Sequence, residues 1–143
     1  LWAEAIVNSE IFEKNSFTNK YLHSDFSIDF NTEIINNINK LDKVIDANSK
    51  LVIWGMASKG IIFSLHLIKN GHKPDLFIDI NINKQKKYIP IIAEIINNPI
   101  ELPKDVKLSI ICMNPYYVNE IYEQCINLKI DFKLFSPDFK QIK

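Results

Sequence analysis

Apolar residues in the second half of this chain fall into short continuous runs separated by stretches of helical period. Leu51-Val52-Ile53-Trp54 is one such run, and it stops at Gly55. From Lys59 to Asn70 the apolar Ile61, Ile62, Leu65, Leu67 and Ile68 lie nearly all round a helix, and Asn70-Gly71 supplies its C-terminal stop. Leu76-Phe77-Ile78-Asp79-Ile80 is a second strand, Leu108-Ser109-Ile110-Ile111-Cys112 another, and Phe132-Lys133-Leu134-Phe135 the last. Asn114-Pro115 opens a helix running to about Leu128. Asn81 to Pro103 reads as loop, with a short strand expected near Ile89–Ile92.

The first part of the chain is patterned differently. Ile28, Ile34, Ile35, Ile38, Leu41 and Ile45 recur at helical spacing, which predicts a long helix over 28–48, capped by Asp29 or Asn31. Residues 1–26 are weakly patterned, with Asn8, Asn15, Ser16 and Asn19 between Trp2, Ile6 and Phe12, and read as a lead-in or linker. Residues 27–143 then form one domain with its α/β core over 50–135. Continuous apolar strands separated by helices imply a parallel sheet covered on both faces. Right-handed crossovers make it a Rossmann-like three-layer domain with about five mostly parallel strands, preceded by the helical lead-in.

Composition narrows the function classes. The chain has 143 residues, 47% hydrophobic and 24% charged, as in a globular domain. Its 17 cations are all lysine and balance 17 acidic residues, so the formal net charge is zero. A dedicated nucleic-acid binder would show a basic excess, and none is expected here. The longest apolar stretches, Ile61–Ile68 and Ile89–Ile96, fall short of the ~18 residues of a membrane span. No signal peptide is visible at Leu1-Trp2-Ala3-Glu4, and a start at Leu rather than Met suggests a processed chain or an excised piece of something longer. Cys112 and Cys125 make no disulfide framework, so a reduced, cytoplasmic setting is the expectation.

The strongest chemical signal is Gly55-Met56-Ala57-Ser58-Lys59-Gly60, between the first strand and its helix. Gly55 and Gly60 stand at the first and last glycine positions of a dinucleotide-type turn, with Ala57 at the middle one. The first permits the tight turn, the last permits close helix–strand packing, and the exposed N–H groups between can hold an anion. Ile61-Ile62 after Gly60 excludes a P-loop. Asp79 ends the second strand near the ~20-residue offset at which an acid meets ribose hydroxyls; a solvated loop acid is the alternative. Lys84 follows in a polar cluster suited to a phosphate or sugar, or simply to water. Asn114 is a natural N-cap with Pro115 in the first helical position. That helix start brings Tyr116 and Tyr117 to the sheet edge where Gly55 lies. Catalytic constellations are missing. His23, His66 and His72 have no metal-ligand spacing, there is no G-x-S-x-G turn, and absence of arginine removes the usual bidentate phosphate clamp. The expectation is a binding module, with no catalytic residue and no metal in this chain.

These motifs, in this order, resemble the C-terminal domain of sugar C-methyltransferases. Leu51-Val52-Ile53-Trp54-Gly55-Met56-Ala57-Ser58-Lys59-Gly60 is similar to the family's V-x-x-[WY]-G-A-x-x-K-G. The run from Phe77-Ile78-Asp79 through Lys84-Gln85-Lys86-Lys87-Tyr88-Ile89-Pro90 is similar to its V-D-x-N-x-x-K-Q-G-x-Y-x-P-G. Asn114-Pro115-Tyr116-Tyr117-Val118-Asn119-Glu120-Ile121 resembles its W-N-[FY]-x-x-E-I. The likeness spans about residues 28–135. Met56 stands for the family's Ala, Pro115 departs from its aromatic-led pattern, and Lys86 and Ile91 stand where the family has Gly. The resemblance implies a Rossmann-like domain that helps house a nucleotide-sugar, with Gly55, Ser58, Lys59, Gly60, Asp79, Lys84 and Asn114 on the ligand side; Tyr116 joins them by its place on the edge. It also implies an upstream methyltransferase domain that carries S-adenosylmethionine and the catalytic groups, and no cofactor in this domain. Rival readings are a free-standing nucleotide or nucleotide-sugar binding module of another sugar-modifying enzyme, or a non-catalytic interaction domain; the partner expected is a nucleotide-sugar or other small molecule.

Overall fold

A computed structural model describes residues 40–143 together with Asn36 and Ile38. The lead-in expected at 1–26 and most of the helix expected at 28–48 lie outside the described residues. Of that helix, the segment Leu41–Val44 (α1) is seen, followed by a turn in which the Asp46 side chain accepts from the Asn48 amide.

The strands are Lys50–Trp54 (β1), Leu76–Ile78 (β2), Ile96–Asn97 (β3), Leu108–Cys112 (β4) and Phe132–Phe135 (β5). They make one five-stranded sheet in the order β3-β2-β1-β4-β5, and every pair is parallel. Val52 lies opposite Leu76 on one side and Ile110 on the other, which fixes the register of the three central strands. The fold is the expected Rossmann-like α/β domain.

Side-chain alternation along each strand explains the three layers. Leu51, Ile53, Phe77, Ile111 and Phe135 point to one face, where they pack with Ile38, Leu41 and Leu67. Val52, Trp54, Ile78, Ile110 and Leu134 point to the other, against Ile121 and Cys125. Leu67 lies on helix Ser58–Lys69 (α2), and Ile121 and Cys125 on helix Val118–Asn127 (α3). The helix that follows β1 therefore covers one face and the helix that follows β4 covers the opposite one. Strands buried on both sides must read as continuous apolar runs, as β1 and β4 do.

One expected element is displaced. The short strand is Ile96–Asn97, not Ile89–Ile92. Ile89 and Ile92 turn inward onto the α2-side core, whereas Ile91 projects outward with φ +70° in a tight turn after Pro90. Tyr88 then pairs antiparallel with Ile95, so the chain doubles back before β3 begins. From β3 the chain passes through a 3-10 turn at Pro99–Glu101, and Leu102 and Val106 pack on the α3-side core before β4. Among the described residues, no helix is long and apolar enough to cross a membrane.

Candidate functional site

The order β3-β2-β1-β4-β5 reverses direction between β1 and β4. Loops leaving these strands diverge to opposite faces, and a crevice opens at their carboxyl ends, where doubly wound sheets bind ligands. A cleft of about 730 Å³ lies there. One wall is the turn after β1, with Gly55, Ala57, Ser58 and Lys59. A second is the loop after β2, with Asp79, Ile80, Asn81 and Lys84. Asn114, Pro115, Tyr116 and Tyr117 form the third, continued by Glu120 and Gln124 of α3.

The first wall depends on two glycines. Gly55 has φ +110°, a conformation that side-chain-bearing residues rarely adopt, and its amide donates to the Ile78 carbonyl at 2.8 Å. Gly60 is buried behind the turn, and a Cβ there would lie 2.1 Å from the Gly55 carbonyl oxygen. It does not line the cleft; it lets α2 approach the turn. Ala57 precedes α2 in extended conformation, and no side chain caps the helix. Its first-turn amides are left for water or a ligand. Lys59 is exposed beside them, and no carboxylate pairs with it among the described residues.

The second wall is tied down by Asp79, which is buried at 6% exposure rather than a solvated loop acid. Its Oδ2 accepts from the Met56 amide at 2.9 Å and from Lys84 Nζ at 2.9 Å, while Oδ1 accepts from the Asn81 amide at 2.9 Å. Gln85 Nε2 donates to the Asp79 carbonyl, and Asn98 Nδ2 donates to Gln85 Oε1. Asn98 in turn starts the 3-10 turn through a capping box with Glu101, which also pairs with Lys86. The ion pair with Lys86 is the main reason the Glu101 carboxyl titrates below its ordinary range.

At the third wall Asn114 Oδ1 accepts from the Tyr116 amide at 3.2 Å and caps a 3-10 turn, Pro115–Tyr117, that runs into α3. This helix start is closed by its own side chain. Tyr116 is 93% exposed and Tyr117 half so, forming an aromatic rim. Cys112 is buried at the foot of this wall with its thiol directed at the Asn114 carbonyl, and burial raises its pKa. Burial also pushes the Cys125 thiol up to about 12. Both are poor nucleophiles at neutral pH.

The structure thus brings Gly55, Ser58, Lys59, Asp79, Lys84, Asn114 and Tyr116 to one cleft and places Gly60 directly behind it. Sequence reasoning missed the Asp79–Met56 bond and the Gln85–Asn98 link, because the partners are far apart in sequence. Among the described residues no group of three His, Cys, Asp or Glu side chains could hold a metal ion.

Neither a protein-family model nor a curated protein sequence matches the chain. Among solved structures it is similar to a UDP-D-quinovosamine 4-dehydrogenase from Vibrio fischeri, at 21% identity and a TM-score of 0.49, over 62% of this chain and 79% of that one. At that identity the likeness bears on neither ligand nor activity.

Proposed function

We propose that this domain binds a nucleotide-sugar in the cleft between the β1 and β4 loops, as the C-terminal substrate domain of an S-adenosylmethionine-dependent sugar methyltransferase, and has no catalytic activity alone. The observation that carries the family reading is a backbone one. Two positions at which the resembled pattern has glycine, 86 and 91, have φ of +61° and +70° here. Only five non-glycine residues among those described have positive φ, and these are two of them. Side-chain-bearing residues avoid that region and glycine does not. The chain therefore keeps a backbone suited to glycine where its side chains depart from the pattern.

The chemistry of the cleft supports the ligand class. A diphosphate needs donors and positive charge, which the uncapped first turn of α2 and Lys59 supply. A base or sugar ring needs an apolar or aromatic face, which Tyr116, Tyr117 and Ile80 supply. Methyl transfer would require a donor site, and the cleft contains no glycine-rich methyl-donor motif. Calorimetric titration with UDP-glucose and dTDP-glucose tests the reading. We expect one-to-one binding of at least one of them, none of S-adenosylmethionine, and a loss of about ten- to a hundredfold in Lys59→Ala, the effect of one charged hydrogen bond. Absence of nucleotide-sugar binding, or one-to-one binding of S-adenosylmethionine, would sink it.

A further inference from the structure

Resting on that reading of the cleft, we propose that Asp79 is a positioning residue: held by Lys84, it clasps the loop after β2 to the turn after β1, fixing where the Ser58–Lys59 wall stands, and it does not take up ligand hydroxyls. A carboxylate that receives a ribose needs an oxygen open to the ligand. Asp79 is buried, and three donors take both positions of Oδ2 and one of Oδ1, which leaves a single acceptor position with little exposed surface. Those donors come from two neighbouring walls. The Met56 amide belongs to the turn that presents Ser58 and Lys59, whereas Asn81 and Lys84 belong to the adjoining loop after β2. Movement of either wall would stretch a charge-assisted bond, among the stronger hydrogen bonds available. The clasp is backed from behind, since the Asp79 carbonyl is held by Gln85 and Gln85 by Asn98.

The same geometry separates the two lysines of the cleft. Lys84 is half-buried with its ammonium on Asp79 Oδ2, so its charge is neutralised where it stands. Lys59 alone of the two keeps its charge for an incoming anion. The loop pattern from Asp79 to Gln85 is then a self-tied frame, and ligand contact passes to the turn after β1 and to the tyrosine rim.

A double-mutant cycle on the full chain tests this, with UDP-glucose binding as one readout and amide exchange as the other. Asp79→Asn leaves Met56 only a neutral, weaker acceptor and drops the charge that holds Lys84, and Lys84→Met removes the ammonium that fixes the carboxylate against Met56. Either alone should weaken binding about three- to tenfold, and the double variant should be no worse than the weaker single, because both break one clasp. Independent losses that multiply, with Asp79→Asn costing about tenfold or more in either background, would make Asp79 a ligand contact and overturn the proposal. Amide exchange needs no ligand. In Asp79→Ala the Met56 and Asn81 amides should exchange about tenfold faster or more while Ile53 and Ile111 stay protected. Unchanged exchange at Met56 and Asn81 also overturns it. Should Asp79→Ala fail to fold, Lys84→Met, at a half-buried site, is read at the Asn81 and Gln85 amides in its place. If the parent chain binds no UDP-glucose, the proposed ligand class is in question for that sugar, and the exchange result alone decides the clasp.

Discussion

Two turns wall the same cleft, and they are finished in opposite ways. After β1 the chain turns on Gly55, α2 begins without a side-chain cap, and the neighbouring Met56 amide is satisfied by a carboxylate 23 residues away. After β4 the chain turns through Asn114-Pro115, and Asn114 satisfies the Tyr116 amide itself. A helix start must find partners for its first amides in side chains, water or ligand. One turn is closed locally and the other is held in shape from outside, with its amides left open. The cleft is consequently asymmetric, with an anion-favouring end at Lys59 and an aromatic, acidic end at Tyr116, Tyr117 and Glu120.

The contrast is broken most severely at Gly60. A Cβ 2.1 Å from the Gly55 carbonyl oxygen cannot be accommodated by a rotamer change, because the obstacle is backbone. That backbone is itself anchored, since the Gly55 amide is bonded to Ile78. Gly60→Ala should therefore destabilise the domain by about 3 kcal/mol, the upper end of overpacking costs. Urea denaturation measures it. A cost below about 1 kcal/mol would mean that the β1 turn can swing away from α2, and that it is less rigid than its bonds imply.

The contrast is sharpened by pairing one residue from each turn. Asn114→Ala removes a cap and should cost about 1 kcal/mol of stability, while UDP-glucose affinity stays within about threefold, well under the loss of a charged hydrogen bond. Lys59→Ala should do the reverse, since the side chain is exposed and has no carboxylate partner among the described residues. Measuring both variants by denaturation and by titration gives a crossed pattern. Equal losses of affinity in the two would abolish the asymmetry and place the anion between the turns.

What could be read in advance follows the range of the interactions. β1 and β4 were legible because parallel strands buried on both faces are apolar almost throughout, with Ser109 the one polar residue within them past Lys50. The edge strand β5 was legible from Phe132, Leu134 and Phe135 around Lys133. The β1 turn was legible because Gly55 ends such a run and Gly60 recurs at the spacing that close helix packing requires. β3 was misplaced because Ile89, Ile91, Ile92, Ile95 and Ile96 are equally apolar, and periodicity cannot choose which pair joins β2. Asp79 was legible as an acid at the right strand end but not as a clasp. Its bond to Met56 exists only once β1 and β2 lie side by side.

The smallest expected effect concerns the loop behind the second wall, where side chains occupy backbone that favours glycine. Ile91 is β-branched, 86% exposed and left-handed, so its side chain contributes little burial and sits in a strained conformation. Relief of left-handed strain in Ile91→Gly is worth about 1–2 kcal/mol. The greater freedom of glycine in the unfolded chain takes back about 0.5–1 kcal/mol. A net gain of about 0.5–1 kcal/mol is expected, and thermal denaturation would register it as a rise in midpoint. Lys86→Gly has the same backbone rationale but also deletes the pair with Glu101, so it should gain less than Ile91→Gly. Equal or larger gains at 86 would show that this exposed ion pair contributes nothing to holding the loop. A loss at 91 would mean that the left-handed turn there is not strained, and would remove the backbone argument that links this loop to the glycine pattern it resembles.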